Sequence, residues 1–441
     1  MSISVGTLRK AIAGTMVVSI HATAGSIVET PNYSLGYDLT SVIGVFHSKE
    51  NYQNWQNRDE GSSSWQEGFI KYGLKGEVDV GGGSRVYGRL NRVATGTWGD
   101  GDAGGFTNGT ERTDKWEDAL IGWRSGDLVP ALGTNGIDIS VGRQQILLGD
   151  GFLVAGDGVS AGRGAAGNLY NRGGAYYVTG RRSFDQTAMV RIGGSEGLHG
   201  SVGWLKSDNP IQAKMEMAFS TLDYSSELGL VGLTFLRGLD VDKRFATESQ
   251  LAREDMKVYS IRAQGSAGLE NVFLSSELAF QKKSDGDSRA GYVEAAYTYA
   301  TTPWQPTIGY RYSRYGKKWD SLLYGFGRGY GTWFQGEVAA NFAGPYSSNT
   351  QIHQIYARAQ PSPSVTLNAI AYDFDTINKQ SALNLSGKEL DLYLDFAVSP
   401  NVILTPLLGF YKPEKSSDQG GLQAGNNDVN VFSALLISVN F

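Results

Sequence analysis

Hydrophobic and polar residues alternate with a period of two along many short segments of this chain. In the segment 66–80, Ile70 and Tyr72 fall on one face, and Lys71 and Lys75 fall on the other. Because successive side chains of a β-strand point to opposite faces, the alternation predicts strands with one apolar and one polar face. A soluble β-sandwich and a membrane-spanning barrel both contain such strands, so their number and order must decide between the two folds.

The alternation recurs in eighteen segments. Short connections between these segments alternate with mostly longer ones. An even number of antiparallel strands, with short turns at one end and longer loops at the other, is typical of bacterial membrane barrels. We therefore predict an all-β fold, a transmembrane antiparallel β-barrel of about eighteen strands with a water-filled lumen. The segments 116–128 and 198–206 are weak, which leaves sixteen or twenty strands open. The predicted strands are 35–47, 66–80, 84–97, 116–128, 136–147, 184–193, 198–206, 212–222, 226–238, 255–267, 269–283, 288–301, 303–316, 350–361, 364–377, 387–399, 401–413 and 428–441.

Both ends of the chain favour the membrane barrel. The last residues, VFSALLISVNF, alternate up to the terminal Phe441, and such a strand resembles the assembly signal of bacterial outer-membrane barrels. Residues 1–24 contain two basic residues, a short apolar run and a small-residue exit, which is the pattern of a secretory signal peptide. We expect residues 25–441 to form the barrel in the bacterial outer membrane. The expected partners are membrane lipid, lipopolysaccharide and the barrel-assembly machinery, the last through the Phe441 strand.

Composition and charge exclude several classes of protein. The chain has no Cys, so a secreted fold of this length does not depend on disulfides. Its 59 Gly and 23 Tyr suit the turns and aromatic girdles of a barrel. The net charge of −5 provides no overall basic field for nucleic acid. We expect a monomer with no cofactor and no nucleic-acid partner.

Two connections are much longer than the rest, at 148–183 and 317–349. Structureless stretches of this length inside a compact domain are usually functional. Each could fold into the pore as a constriction, or each could be a plain surface loop that faces solvent. The sequence leaves both possibilities open.

The polar face of each strand is expected to line the lumen. In the segment 212–222, for example, Met215, Met217 and Phe219 are predicted to face lipid and Lys214 to face the lumen. Nine inward basic residues then oppose nine inward acidic ones, and a balanced wall suits small polar solutes better than polyanions. The basic residues are Lys71, Lys75, Arg85, Arg89, Arg191, Lys214, Arg262, Arg311 and Arg358. The acidic residues are Asp38, Glu77, Asp79, Asp138, Glu216, Glu277, Glu294, Asp391 and Asp395.

Candidate pore-lining residues come from both sets, together with Arg143. Strict alternation from Ile139 and Val141 points Arg143 outward, and a β-bulge near the rim would bring it inward. A positive ladder within the balanced wall could be formed by Arg89, Arg262, Arg311 and Arg358. The full candidate set is Lys71, Lys75, Arg89, Arg143, Arg191, Lys214, Arg262, Arg311, Arg358, Glu277, Glu294 and Asp395.

Three segments, in order along the chain, carry a resemblance to a known family. They are GRQQILLGDG at Gly142–Gly151, RRSFD at Arg181–Asp185 and YGFGRGYGTWFQGE at Tyr324–Glu337. With these segments the chain resembles the alginate-export porins of the bacterial outer membrane. The resemblance implies a monomeric eighteen-stranded barrel with a selective, charged lumen, and the founding member of that family passes a polyuronate outward through an arginine-rich conduit. The balanced charge of the predicted lumen departs from that picture.

No catalytic constellation stands out, because no histidine beyond the predicted signal peptide has a suggestive serine or carboxylate neighbourhood. These histidines are His47, His199 and His353. Four aspartates could bind loop Ca²⁺, although solvated turn residues are the simpler interpretation; they are Asp100, Asp102, Asp150 and Asp157. We expect a non-enzymatic outer-membrane channel for the passive passage of saccharide or carboxylate solutes, including export of an anionic polysaccharide such as alginate. The alternatives are a general or nutrient-uptake porin for small polar solutes, a barrel hydrolase and a surface adhesin.

Overall fold

A computed structural model describes residues 25–54, 58–164, 167–323, 325, 335–344, 347–380 and 383–441. The predicted signal peptide, residues 1–24, lies outside the described residues and stays a prediction.

Eighteen strands of the described chain form one closed antiparallel sheet, which confirms the predicted barrel. Each of β2 to β6 and β9 to β21 pairs with the next of these strands, and β21 returns to pair with β2. The strands are β1 Gly25–Glu29, β2 Tyr33–Ser48, β3 Ser63–Gly81, β4 Ser84–Gly99, β5 Arg112–Arg124, β6 Ile137–Gln144, β7 Leu147–Leu148, β8 Val154–Ala155, β9 Phe184–Ile192, β10 Gly197–Lys206, β11 Glu216–Ser226, β12 Gly229–Asp240, β13 Lys257–Gly265, β14 Val272–Lys282, β15 Ser288–Thr298, β16 Thr307–Tyr315, β17 Thr350–Ser362, β18 Val365–Thr376, β19 Gly387–Ser399, β20 Val402–Pro413 and β21 Asn430–Asn440.

The two ends of the barrel differ in the length of their connections. At one end, the turn end, β3 reaches β4 through three glycines, Gly81 to Gly83, whose φ angles of 104°, 63° and 71° lie in the region that favours glycine. At the other end, the loop end, β6 is joined to β9 by residues 145–183 and β16 to β17 by residues 316–349. Both ends of the described chain lie at the turn end, as an even number of strands requires.

The seam of the barrel is closed by its last residue and by a strand that the sequence pattern did not predict. The Phe441 backbone N–H donates to the Leu39 carbonyl at 2.7 Å, and its carbonyl accepts from the Leu39 N–H at 3.0 Å. Beyond Phe441, β1 pairs with β2 along the edge that β21 leaves open. That the assembly machinery recognises the Phe441 strand stays a prediction.

The outer face is an apolar band, as the alternation predicted. Ile70, Tyr72 and Leu74 of β3 are 40–50% exposed, whereas Lys71 and Lys75 point into the barrel and bind inward carboxylates. A band of exposed apolar side chains around a closed sheet is the surface that a lipid bilayer covers.

The predicted orientation of one strand is wrong. In β11, Leu222 and Tyr224 are exposed on the outside, whereas Met217 and Phe219 point inward and are buried. Met215, also fully buried, lies before β11 begins. These side chains are covered by residues inside the barrel. The apolar face of this strand therefore points into the barrel and not toward lipid.

Within the described ranges, helices are few and short. One α-helix, α1, spans Glu248–Leu251, single 3₁₀ turns span Pro130–Leu132, Pro210–Gln212 and Ser417–Gln419, and a π-helix spans Ala339–Ala343. No helix within the described residues has the length and apolar character needed to cross a membrane.

Candidate functional site

The inner face of the barrel divides into two parts. Toward the turn end, which we call the turn half, a cavity of about 480 Å³ is lined mainly by charged and polar side chains of β1 to β6 and β9. Toward the loop end, which we call the loop half, described residues of the stretches 149–164, 167–183 and 335–344 fold back inside and pack against the wall. The two parts differ in what a solute can touch.

In the turn half, basic side chains are held by carboxylates of the same wall. The Lys75 Nζ lies 2.7 Å and the Arg89 Nε 3.1 Å from the Asp38 carboxylate. Asp138 is placed between Arg124 at 3.4 Å and Arg191 at 3.5 Å. The backbone register explains these groups, because Arg124, Asp138 and Arg191 are direct neighbours across β5, β6 and β9.

The cations of the turn half are more exposed than the carboxylates that they bind. The Arg191 side chain is 52% exposed and its partner Asp138 only 15%. The Arg89 side chain is 43% exposed and its partner Asp38 only 14%. A solute in this cavity therefore meets four basic side chains, Lys75, Arg89, Arg124 and Arg191, against two lining carboxylates, Glu29 and Glu77.

On the opposite wall the candidate charges are paired and mostly covered. Arg262 binds Asp223, and it lies against Gly149 of the inner segment. Arg311 is 3% exposed, with its guanidinium 3.9 Å from Glu294. Of the ladder predicted from the sequence, Arg89 is thus exposed to the lumen, whereas Arg262 and Arg311 are covered.

The remaining candidates of this wall also lie on the inner face. Glu277 is buried and accepts a hydrogen bond from Ser260. Asp395 accepts from Thr405 at 2.8 Å. Arg358 lies directly opposite Asn368, on the same inner face.

In the loop half a cluster of buried aromatic rings packs on the inner face. Tyr177 and Phe342, from the two inner segments, pack against Phe46, Trp65 and Phe432 of the wall, with ring centroids 4.9–6.4 Å apart. All five rings are at least 96% buried. Of the two possibilities that the sequence left open, the described residues of both long connections support a constriction inside the barrel.

Hydrogen bonds fix the first inner segment to the wall. The Thr97 hydroxyl of β4 accepts from the Ala175 N–H at 2.9 Å, and the Thr95 hydroxyl donates to the Gly173 carbonyl at 2.8 Å. The Val178 N–H donates to Glu67 of β3 at 2.8 Å. Buried backbone groups of the segment therefore find partners on the barrel strands.

A buried ion cluster holds the two ends of this segment, and we call it the Asp208 cluster. The Asp208 carboxylate accepts from Arg143 and Arg181 at 2.9 Å and from Arg172 at 3.1 Å. Arg172 also binds Asp157 at 2.9 Å, and both of their side chains are at most 1% exposed. Three cations around one carboxylate, with Asp157 beside them, satisfy charges that would be costly to bury alone.

The environment shifts the pKa values of the two carboxylates, Asp208 and Asp157, in opposite directions. Although burial alone would raise it, the guanidinium groups of Arg172, Arg181 and Arg143 hold the pKa of Asp208 below its usual range. Burial dominates at Asp157 and raises its pKa to about 6, against the pull of Arg172.

Two of the candidate pore-lining residues, Arg143 and Lys214, depart from strict strand alternation. The register of β6 against β9 shifts between Gly142 and Gln144, which is the bulge expected at Arg143. The predicted strand position of Lys214 is wrong: it precedes β11 in a left-handed conformation, and its ammonium lies 4.7 Å from the Phe245 ring centroid. For the other candidates the inward placement is described above, and their part in solute passage stays a prediction.

Two of the three segments that carried the family resemblance meet in the Asp208 cluster. Arg143 belongs to the first segment, and Arg181 and Asp185 belong to the second, with Asp185 accepting from Arg143 at 2.7 Å. The third segment is described only at residues 325 and 335–337. Arg172 and Asp208 were not singled out from the sequence, because nothing local marks a loop residue as buried.

Neither a catalytic triad nor a loop calcium site is assembled by the described residues. The His47 Nδ1 lies 2.9 Å from the Ser64 hydroxyl, but no described group binds the other nitrogen of this ring. Asp102 accepts from the N–H groups of its own turn, and Asp150 accepts from Tyr292. No group of three or more His, Cys, Asp or Glu side chains that could hold a metal is found in the described part of the chain.

The fold is similar to that of known porins. OccK5 (OpdH) of Pseudomonas aeruginosa aligns with a TM-score of 0.56 at 9% identity, over 92% of this chain and 98% of that chain. A BenF-like porin from Pseudomonas fluorescens Pf-5 aligns with a TM-score of 0.56 at 12% identity, with the same coverage. OccK7 (OpdD) of P. aeruginosa gives 0.53 at 12% identity over 92% and 98%. At these identities the likeness shows the fold alone.

No protein-family model matches the chain, and no curated protein matches it.

Proposed function

We propose that this protein is a passive diffusion channel of the bacterial outer membrane for small polar solutes, with a preference for carboxylates. The predicted location agrees with the closed barrel and its apolar outer band. Passage is driven by the solute gradient, and no catalytic step is involved. Of the functions expected from the sequence, this is the small-solute porin.

The observation that carries the proposal is the exposure of the cations in the turn half. Lys75, Arg89, Arg124 and Arg191 line one cavity, and carboxylates behind them hold each side chain in place. A carboxylate solute gains charge-assisted hydrogen bonds from the open side of several guanidiniums. Because each guanidinium keeps its wall carboxylate, each contact is weak enough for release, as conduction requires.

Export of alginate has less support. The inner segments reduce the free width of the loop half, and two of the four ladder arginines, Arg262 and Arg311, are covered. A polymer needs a continuous open row of partners, whereas a small carboxylate needs one cavity with a few. The described residues favour the second case, and the family resemblance stays a prediction.

The test is ion selectivity in planar bilayers across a KCl gradient. Wild type is expected to favour anions, and the double variant Arg89→Glu/Arg191→Glu to favour cations, because both changes lie on the exposed side of the cavity. The matched control is Lys388→Glu, an exposed loop-end residue on the outer face beside Asp373, which should leave selectivity unchanged.

Solute identity is tested in the same bilayers. Small carboxylates such as a monomeric uronate should reduce the chloride current of wild type, and the double variant should lose this effect. A cation-selective wild type that carboxylates do not affect would contradict the proposal. Strong block by uronate oligomers alone would favour the polymer exporter instead.

A further inference from the structure

A groove of about 750 Å³ crosses the outer face of β12 to β16 and ends near the loop end. The side chains that line it from outside are apolar over most of its length, among them Ile261, Leu278, Phe280 and Val293. Outward side chains of a membrane barrel face lipid, so the groove is a feature of the lipid-facing surface.

The register of β15 and β16 explains both the groove and the charge at its end. Arg314 lies directly opposite Gly291, and the Gly316 N–H donates to the Arg289 carbonyl at 2.9 Å. Arg314 therefore faces Gly291 of β15, and Arg289 faces Gly316, which directly follows the end of β16. The missing side chains leave space beside the two guanidinium groups, and both glycines line the groove.

The charge at this end is not neutralised within the described chain. Arg289, Arg314 and Lys317 are exposed, and no described carboxylate forms a salt bridge with any of them. Among the described residues, Arg314 donates only to the neutral Gln351 side chain, at 3.1 Å. Arg237, another outward cation near the loop end, is by contrast paired with Asp255 at 3.0 Å.

Other charges around the groove add to this excess. The loop that joins β14 to β15 carries Asp285 and Asp287, and Asp285 is held by Lys283. The nearby basic residues outnumber these two acids; they are Lys257, Lys282, Lys283 and Lys318. The rim of the groove therefore attracts anions.

A second groove on the outer face has a similar size but differs from the first in charge. It has a similar volume of about 760 Å³ and runs between β16 and β21, lined on the outside by Ile308, Leu367, Leu392 and Leu408. Its outward side chains include no cation in the described chain. It suits acyl chains of any lipid, whereas the first groove offers acyl chains and anionic phosphate a place together.

We propose that the groove at Arg289 and Arg314 is a binding site for lipopolysaccharide, with acyl chains along Leu278 and Val293 and a lipid A phosphate between the two arginines and Lys317. Guanidinium groups bind phosphate oxygens through paired, charge-assisted hydrogen bonds. Long loops face outward in bacterial barrels, so the cationic rim stands at the level of the outer leaflet, where the phosphorylated glycolipid is found.

The test uses the purified full-length barrel in detergent and bis-phosphorylated lipid A, with bound lipid measured by native mass spectrometry. In the triple variant Arg289→Gln/Arg314→Gln/Lys317→Gln we expect the affinity to fall by roughly tenfold or more. Val293→Trp keeps the charges but fills the groove, and it should also weaken binding. The control Arg237→Gln removes a paired cation at the same height and should bind like wild type. Heat-modifiable migration on gels confirms that each variant is folded.

The choice of lipid separates the possible occupants. Dephosphorylated lipid A should bind wild type about as weakly as lipid A binds the triple variant. Unchanged lipid A binding in the triple variant or in Val293→Trp would overturn the site. Phosphatidylglycerol that binds wild type as tightly as lipid A would overturn the assignment to lipopolysaccharide.

Discussion

The turn half and the loop half of the lumen are built on the inward faces of the same strands, yet one contains an open cavity and the other is closely packed. On β4, Arg89 opens into the cavity, while Thr97, eight residues further along the same face, is fully buried under the inner segment. This difference shows that alternation along a strand determines only which face points inward. What the inward face meets is decided by other parts of the chain.

The largest effect is expected from removing the cation at the centre of the Asp208 cluster. Arg172→Ala leaves Asp157 buried without its partner, and breaking a buried ion pair in this way costs about 3–5 kcal/mol. The inner segment should detach from the wall, which would raise single-channel conductance and expose the segment to protease.

The exposed Arg163 of the same segment supplies the control. Arg163→Ala should leave both conductance and protease resistance as in wild type. If Arg172→Ala behaves like this control, the segment is held by something other than the ion cluster.

A smaller effect should separate the two halves directly, through the same chemical change made in each. Tyr177 donates to Glu337 in the loop half, and Tyr87 donates to Asp138 in the turn half. Tyr177→Phe leaves a buried carboxylate short of a donor, which costs about 1–3 kcal/mol of unfolding free energy. In Tyr87→Phe water can replace the hydroxyl, so we expect a change within about 0.5 kcal/mol.

Urea unfolding of the two variants in detergent measures this difference. Equal losses would mean that water is excluded from the turn half as well, and the proposed open cavity would be wrong.

The smallest effect should be the acid sensitivity that Asp208 gives to the loop half. Its pKa is lowered in the folded state, so its contribution to stability is present above the ordinary aspartate pKa of about 4 and is lost as the pH falls through the lowered value. The pKa of Asp157 is raised instead. The effect of Asp208 is therefore measured by comparing wild type with Asp208→Asn. The urea midpoint of wild type should fall more than that of Asp208→Asn between neutral and acid pH. An equal fall in both proteins would remove Asp208 as the cause.

The wall could be predicted from the sequence, because strands, faces and turns are set by local patterns. Lys75, Arg89 and Arg191 stand on strands with clear alternation, and their inward orientation followed from period two alone. The short β1 was missed, since five residues with a bulge carry too little pattern.

The loop half could not be predicted, because it depends on contacts between distant residues. Met217 and Phe219 are apolar on one face, but that face is covered by an inner segment rather than by lipid. Arg172 and Asp208 are separated by 36 residues, and neither lies in a strand. Only the folded chain shows that they form one cluster.

Cysteine accessibility tests the division of the lumen most directly, because the chain contains no Cys and every introduced thiol is a single probe. Arg89→Cys and Thr97→Cys place that probe on the same face of β4, in the turn half and the loop half. With a charged, membrane-impermeant thiol reagent added on both sides of a reconstituted bilayer, Arg89→Cys should react at least roughly tenfold faster, because only that site is open to water. Equal rates at the two sites, or a faster reaction at Thr97→Cys, would contradict the account.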